Sequence, residues 1–98
     1  MEFEWDPAKD SVNRAKHGIS FEEASRLFGD DNDVLEIYDD EHSIDEDRFI
    51  AIGRLEGDVI VVIYSEQDET TIRLISARKA TPAENARFEA YWRERHGR

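Results

Sequence analysis

Residues 59–64, Val-Ile-Val-Val-Ile-Tyr, form the longest apolar run in the chain, and they decide the fold class. A strand that is apolar at every position is typical of the centre of a sheet, where both faces are covered. Further strand-like runs lie at 49–52 and 71–77, and the short segments 55–58 and 66–69 separate them from the central run. Because short loops join antiparallel strands, this pattern predicts a meander of three strands.

Helix signals stand before and after this meander. Asp6-Pro7 combines an N-cap residue with proline at the first helical position, and Gly18 is a typical left-handed C-cap. The pattern of a capping box recurs at 20–23 and at 81–84, so each of these segments predicts the start of a further helix.

The order of the predicted elements is β-α-α-β-β-β-β-α, with additional short strands at 2–5 and 34–38. A chain of 98 residues has the usual length of one domain. We therefore expect a single small α+β domain over residues 1–98, with a twisted, mainly antiparallel sheet, two N-terminal helices and one C-terminal helix. The predicted core consists of Ile50, Ile52, Val59, Val61, Val62, Ile63, Ile72 and Leu74, with Phe21, Leu27, Phe28, Phe88 and Trp92 packed onto them.

Charge is distributed unevenly along the chain. Residues 22–47 contain twelve acids and one base, Arg26, and so account for the whole net charge of −11. From Thr70 onward, seven lysines and arginines oppose three glutamates. The acidic average argues against general nucleic-acid binding, whereas the basic C-terminal third leaves room for a local cationic face.

Several classes of site and location are excluded by composition. The chain has no cysteine, which rules out disulfides, thiolate metal sites and thiol nucleophiles and fits a cytoplasmic protein. No apolar run approaches the ~20 residues of a membrane span, and the start is not a signal peptide. The three histidines lack metal-type spacing, and the acidic segment 30–33 lacks the EF-hand pattern, so we expect no metal and no cofactor.

Arginines near the end of the last predicted strand are the first candidates for chemistry. Arg73 lies within this strand, and Arg78 lies at its end, just before the cap of the C-terminal helix. Residues five apart point to opposite faces of an ideal strand. Only a bulge, or an end of the strand near Ala77, would bring the two guanidinium groups together.

Further basic and titratable residues extend this set. Lys16 and His17 close the first helix, while Arg48 and Lys79 would add positive charge for binding a phosphate. Such cations can hold a phosphodiester and stabilise the charge that develops on it, and His17 or Glu84 could transfer a proton. The combination would support metal-free cleavage of RNA by its own 2′-hydroxyl. The alternative is structural: arginines at strand ends are often solvated or paired with acids such as Glu84, and cations at a helix C-terminus favour its dipole.

Three blocks of sequence carry a family resemblance. They are Phe-Glu-Trp-Asp-Pro at 3–7, Lys-His-Gly-Ile-Ser-Phe-Glu-Glu-Ala at 16–24, and Arg-Leu-Ile-Ser-Ala-Arg-Lys-Ala at 73–80, with Asn13 and Glu84 in the same pattern. In these blocks the chain resembles the BrnT family of type II toxins. The resemblance implies a RelE-like fold, RNA as the substrate, metal-free endoribonuclease activity and inhibition of translation.

The same resemblance implies partners. A BrnA-like antitoxin would neutralise the toxin, and promoter DNA would be contacted only through that antitoxin, in a homodimer or a heterotetramer with it. An apolar surface near the chain termini or at Tyr91-Trp92 is the expected docking place. Gln67 and Phe88 depart from the resemblance, which leads us to expect a basic residue and a tyrosine there.

Two other functions are compatible with the sequence. A non-catalytic module could bind an antitoxin and act as a transcriptional co-repressor, with the acidic segment 30–47 docking a basic partner. In the third possibility, the acidic face mimics DNA.

Overall fold

A computed structural model describes residues 1–29, 31–44 and 46–97. Asp30 and Asp45 of the acidic segment, and Arg98 of the predicted domain, lie outside the described residues. Short 3₁₀ turns occur at Arg26–Phe28 and Asp40–His42. The strands and helices are, in chain order, β1 (Glu2–Glu4), α1 (Pro7–His17), α2 (Phe21–Ser25), β2 (Val34–Tyr38), β3 (Phe49–Leu55), β4 (Asp58–Glu66), β5 (Thr71–Lys79) and α3 (Pro82–His96).

The five strands form one sheet in the order β1-β5-β4-β3-β2, and the apolar run lies in the central strand β4. Strands β2 to β5 pair antiparallel with their neighbours, as the short loops predict. At the other edge, β1 pairs parallel with β5, and Phe3 lies opposite Ile72. The predicted α+β class with a mainly antiparallel sheet, two N-terminal helices and one C-terminal helix is confirmed.

Helix ends follow the caps that the sequence predicts. Gly18 has a φ of 73°, and its N–H donates to the carbonyl of Arg14, which closes α1. Both capping boxes form: Ser20 and Glu23 exchange hydrogen bonds before α2, and Thr81 and Glu84 do so before α3.

Helices cover both faces of the sheet. The α1/α2 face holds a core with Phe21 and Leu27 fully buried, while α3 places Phe88 on the opposite face, here called the α3 face. The predicted core is confirmed at Val61 and Leu74, which are 0% and 1% exposed. The half-buried side chains of the predicted core are Phe28, Ile50, Val59, Ile63 and Trp92.

One irregularity interrupts the pairing of β5 with β4. Ser76 lies opposite Ile63, and Leu74 lies opposite Tyr64, so Ile75 has no partner on β4. This is a β-bulge, in which two residues of one strand oppose one residue of the other. It changes which side chains of β5 share a face, because the alternation of sides restarts after the extra residue.

Tyr91 and Trp92, one of the two expected docking places, are half-buried. Both side chains pack against the core of the α3 face, and the Tyr91 hydroxyl donates to the carbonyl of Val34 at 3.0 Å. The exposed large apolar side chains are Met1, at a chain terminus, which is the other expected place, and Val12, Tyr38 and Ile44. In the part of the chain that the structure describes, no helix has both the length and the apolar character to cross a bilayer.

Candidate active site

The bulge in β5 brings the two predicted arginines to one face. Leu74 and Ala77 both belong to the core of the α1/α2 face, although they are three residues apart. Arg73, Ser76 and Arg78 therefore point to the α3 face, and the strand partner of Arg78 is Val61, which belongs to the core on that face. The bulge thus gives the two arginines a common face, on which each pairs with its own glutamate.

Arg78 is held in place by a carboxylate. Its two terminal nitrogens donate to the two oxygens of Glu84 at 2.7 and 2.8 Å, which is the bidentate geometry of strong arginine–carboxylate pairs. Both side chains are about one third exposed or less. The pair fixes the guanidinium beside the first turn of α3, where the helix N-terminus adds partial positive charge.

The same pair argues against Glu84 as a proton-transfer group. Hydrogen bonding to Arg78 is the main cause that lowers the pKa of Glu84 to about 2, with a further contribution from the Thr81 N–H. A carboxylate with so low a pKa is a weak base near neutral pH. One oxygen also accepts the Thr81 N–H at 2.8 Å, so Glu84 acts as a clamp on Arg78.

Arg73 lies further along the same face and pairs with Glu4 of β1 at 2.9 Å. Because β1 runs parallel to β5, Glu4 lies directly opposite Arg73 in the register. The Arg73 side chain remains 40% exposed, so the pair leaves it accessible from solvent.

Arg48 lies just before β3, at the open end of the α3 face. Its backbone N–H donates to Ser43 Oγ at 2.9 Å, which fixes the start of the strand. Among the described residues, its Nε is the buried side-chain nitrogen or oxygen atom that lacks a hydrogen-bond partner. The side chain borders a depression of about 290 Å³ that is also lined by Glu41 and His42.

A groove of about 320 Å³ runs between α1 and the outer edge of β5. Lys16 and His17 from the last turn of α1 line it, together with Ile75 and Ser76 of the bulge. Arg78 follows Ser76 by two residues on the same face, a separation of about 7 Å along a strand. The structure therefore brings Lys16 and His17 to the edge of the strand that carries both arginines.

Asn13 was missed by sequence reasoning as a functional residue, although it belongs to the family pattern. It is only 6% exposed, and its amide binds the backbone of β5: Nδ2 donates to the Ala77 carbonyl at 2.8 Å, and Oδ1 accepts the Ala77 N–H at 3.1 Å. The Asn13 side chain thus makes the backbone hydrogen bonds that a neighbouring strand would make, at a part of β5 that lies beyond the end of β1. The sequence signal that could have identified Asn13 is its position one helical turn before His17, on the same side of α1.

Lys79 is the predicted site residue that the structure places elsewhere. It lies opposite Ile60, which belongs to the core of the α1/α2 face, so its side chain leaves the strand on the side away from Arg78. Its Nζ lies 3.9 Å from Asp58. The alternation of the strand therefore separates Lys79 from Arg78, and the role of Lys79 in binding substrate stays a prediction.

The two departures from the family resemblance have structural roles. Phe88 is 1% exposed in the core beneath α3, and the guanidinium of Arg54 lies 5.5 Å from the centre of its ring. Gln67 donates to Ser65 Oγ at 2.9 Å at the end of β4. Within residues 1–29, 31–44 and 46–97, no group of three or more histidine or acidic side chains is placed to hold a metal ion.

Comparisons with known proteins identify the family of the chain. No curated protein matches the chain. The chain is similar to the crystal structure of the Brucella abortus ribonuclease toxin BrnT, with 30% identity and a TM-score of 0.62 over 83% of this chain and 97% of that one. The family model described as the ribonuclease toxin BrnT of type II toxin–antitoxin systems matches residues 5–84. The chain therefore belongs to the BrnT family of ribonuclease toxins of type II toxin–antitoxin systems.

Proposed function

We propose that this protein is a metal-independent endoribonuclease that acts in the cytoplasm and inhibits translation by cleaving RNA. The observation that carries the proposal concerns Arg78: the bulge turns it to the same face as Ser76, which lines the groove of Lys16 and His17, and Glu84 holds its guanidinium group. Membership in a family of ribonuclease toxins supports the same activity.

The chemistry assigns a role to each group. The 2′-oxygen of the RNA attacks the adjacent phosphorus, the bond from phosphorus to the 5′-oxygen breaks, and a cyclic 2′,3′-phosphate remains. Arg78 would bind the phosphate and stabilise its developing charge, with Lys16, Arg73 and Arg48 adding positive potential. His17 would accept the proton of the 2′-hydroxyl, since a ring nitrogen of imidazole can act as a general base, and the departing 5′-oxygen would take a proton from solvent.

A toxin of a type II system has a protein antitoxin as its partner. We infer that this partner is a BrnA-like antitoxin, that it neutralises the toxin, and that promoter DNA is contacted only through it.

One observation favours the second candidate function, a non-catalytic co-repressor: both arginines on the open face are paired with glutamates. The pairing reduces the positive potential that an RNA phosphate would meet.

The decisive experiment compares purified variants on total bacterial RNA in excess chelator. Arg78→Ala should lower the cleavage rate roughly 10²–10³-fold, the usual loss for one donor to a transition state. Arg93→Ala, an exposed arginine of α3, is the matched control and should cleave at the wild-type rate. Full cleavage by Arg78→Ala would reject the assignment, and a wild-type protein without activity in both this assay and a translation extract would favour the co-repressor.

A second comparison tests the proton transfer. His17→Gln should lower the cleavage rate by about 10²–10⁴-fold, the range for loss of a general acid or base. His42→Gln controls for the loss of a histidine outside the groove, because His42 pairs with Asp39 in the turn after β2. Equal rates for the two variants would remove His17 from the mechanism.

A further inference from the structure

The two edge strands of the sheet differ in how much pairing surface they offer. At one edge, β1 has three residues, whereas β2 at the other edge has five, from Val34 to Tyr38. An edge strand presents unpaired backbone N–H and C=O groups to any further strand that approaches it. The β2 edge therefore offers the longer row of backbone groups with which a further strand could pair.

Hydrogen bonds identify the peptide groups of β2 that point outward. The Asp39 N–H donates to the Arg48 carbonyl at 2.8 Å, so odd-numbered residues face β3 in the ladder. The carbonyl of Val34 points away from β3, because it accepts the Tyr91 hydroxyl. The peptide groups of Glu36 and Tyr38 consequently point outward, and no described residue makes a hydrogen bond to them.

The side chains of this edge alternate in character. Leu35 and Ile37 are half-buried on the α3 face, while Glu36 and Tyr38 lie exposed on the opposite face. Glu36 accepts the Tyr64 hydroxyl at 2.8 Å, which keeps its carboxylate at the edge. A strand added beside β2 would meet apolar side chains on one face and a carboxylate on the other.

The surroundings of this edge are strongly acidic. Between residues 27 and 47 the sequence contains no lysine or arginine. Six described acids of this region form no ion pair with a described residue, and they are Asp31, Glu36, Asp40, Glu41, Glu46 and Asp47. Such a field repels the phosphates of RNA and also repels the same edge of a second copy.

We propose that the β2 edge binds an extended segment of the antitoxin, which pairs with β2 as a sixth strand and alternates basic with apolar side chains. The basic side chains would face Glu36 and the surrounding acids, and the apolar ones would extend the surface of Leu35 and Ile37. Strand addition of this kind takes affinity from main-chain hydrogen bonds and specificity from the alternating side chains. The inference rests on membership in a toxin–antitoxin family and is independent of RNA cleavage.

The test uses the full chain and defined peptides, so that no antitoxin sequence is required. The probe is an 11-residue peptide that alternates lysine and valine, and it is compared with the same peptide N-methylated at alternate amides and with a glutamate–valine version. Binding is followed by calorimetry, and the exchange of backbone amides by NMR. The lysine–valine peptide should bind and slow exchange at Glu36 and Tyr38 at least tenfold, while both other peptides should not.

Two double variants distinguish binding at the β2 edge from a general effect of net charge. Asp40→Lys with Glu41→Lys reverses acids next to β2, and it should weaken peptide binding at least tenfold. Glu22→Lys with Glu69→Lys makes the same change of net charge on α2 and in the β4–β5 loop and should leave binding within about twofold of wild type. RNA cleavage measured on both double variants should not fall below the wild-type rate, because reversing acids only weakens the repulsion of phosphate, so failure of the proposed nuclease is detected separately from failure of peptide binding.

Four results would overturn the proposal. Protection of amides outside β2 would place the peptide elsewhere, and equal binding of the N-methylated peptide would exclude strand pairing. Equal losses of peptide affinity in the two double variants would show that net charge alone accounts for the binding. Concentration-dependent protection of Glu36 and Tyr38 without peptide would make a second copy of the chain the occupant.

Discussion

The two faces of the sheet are closed to different extents. On the α1/α2 face, Phe21, Ala24 and Leu27 are completely buried. On the α3 face, the helix is anchored at one end of the sheet, where the Tyr91 hydroxyl reaches Val34 and the Ala80 N–H reaches Val59. Away from this end, the isoleucines of the α3 face stay half-buried.

This difference means that one face contributes mainly to stability, while the other carries the candidate active-site residues. A face that excludes water completely gains most from apolar side chains and has no room for a polar ligand. The α3 face keeps Arg73, Ser76 and Arg78 partly exposed on a strand that the closed face holds in place. The comparison predicts that core substitutions cost more stability on the first face than in the half-covered part of the α3 face.

The largest expected effect is on the closed face. Phe21→Ala should lower the free energy of unfolding by about 3–5 kcal/mol, the usual range for a buried aromatic residue. Ile63→Ala, on the half-covered α3 face, should cost at most about 2 kcal/mol, because less surface returns to water. Urea unfolding of both variants measures the difference, and equal losses would show that the two faces contribute alike.

The next effect concerns the contact that joins α1 to the bulged strand. Asn13→Ala should cost about 1–3 kcal/mol, because it leaves the buried N–H and carbonyl of Ala77 without partners. Amide exchange at Ala77 should accelerate in parallel. Asn85→Ala on α3 is the control and should change stability by less than about 0.5 kcal/mol. A variant at position 13 as stable as this control would contradict the role assigned to the amide.

A smaller effect depends on pH and tests the clamp on Arg78. The folded-state pKa of Glu84 is lowered from its ordinary value near 4.5 to about 2 by the hydrogen bonds from Arg78 and Thr81. Because the folded pKa is depressed, this stabilisation is present above pH ~4.5 and is lost as the pH falls toward 2.

Glu84→Gln should therefore be less stable than the wild type by about 1–2 kcal/mol at pH 7, and the gap should close as the pH falls from 4.5 to 2. Chemical unfolding at a series of pH values measures this gap. A gap that stays constant with pH would mean that the carboxylate charge does not contribute.

The smallest effect is expected for the exposed pair on the open face. Arg73→Ala should change the free energy of unfolding by no more than about 1 kcal/mol, because exposed ion pairs contribute little. Thermal unfolding at low and at high salt measures it. A loss of several kcal/mol would show that Arg73 belongs to the structural part of the molecule.

Local sequence rules account for most of the fold. The apolar run of β4, the capping boxes before α2 and α3, and the left-handed Gly18 depend on neighbouring residues, and all of them are confirmed. The parallel pairing of β1 with β5 joins residues about seventy positions apart and has no local signal. The same holds for Asn13, whose backbone partner on β5 is 64 residues away.

The candidate site was only partly predictable for the same reason. The residue types and the strand that carries Arg73 and Arg78 follow from sequence, but their common face depends on a bulge that local periodicity does not reveal. Lys79 follows Arg78 directly in sequence, yet the alternation of the strand puts its side chain on the other face. The pairing of Glu84 with Arg78, which sequence analysis left open as the structural alternative to proton transfer, is present in the structure.

The extra residue in β5 also has a consequence for how such a site arises in evolution. Arg73 and Arg78 share a face only because the bulge absorbs Ile75, so losing the single codon for Ile75 would restore strict alternation and leave the two arginines four residues apart, still on one face. The gain or loss of one residue at this point of the strand can therefore be accommodated by forming or losing the bulge, while the arginine pair and the composition of the protein barely change.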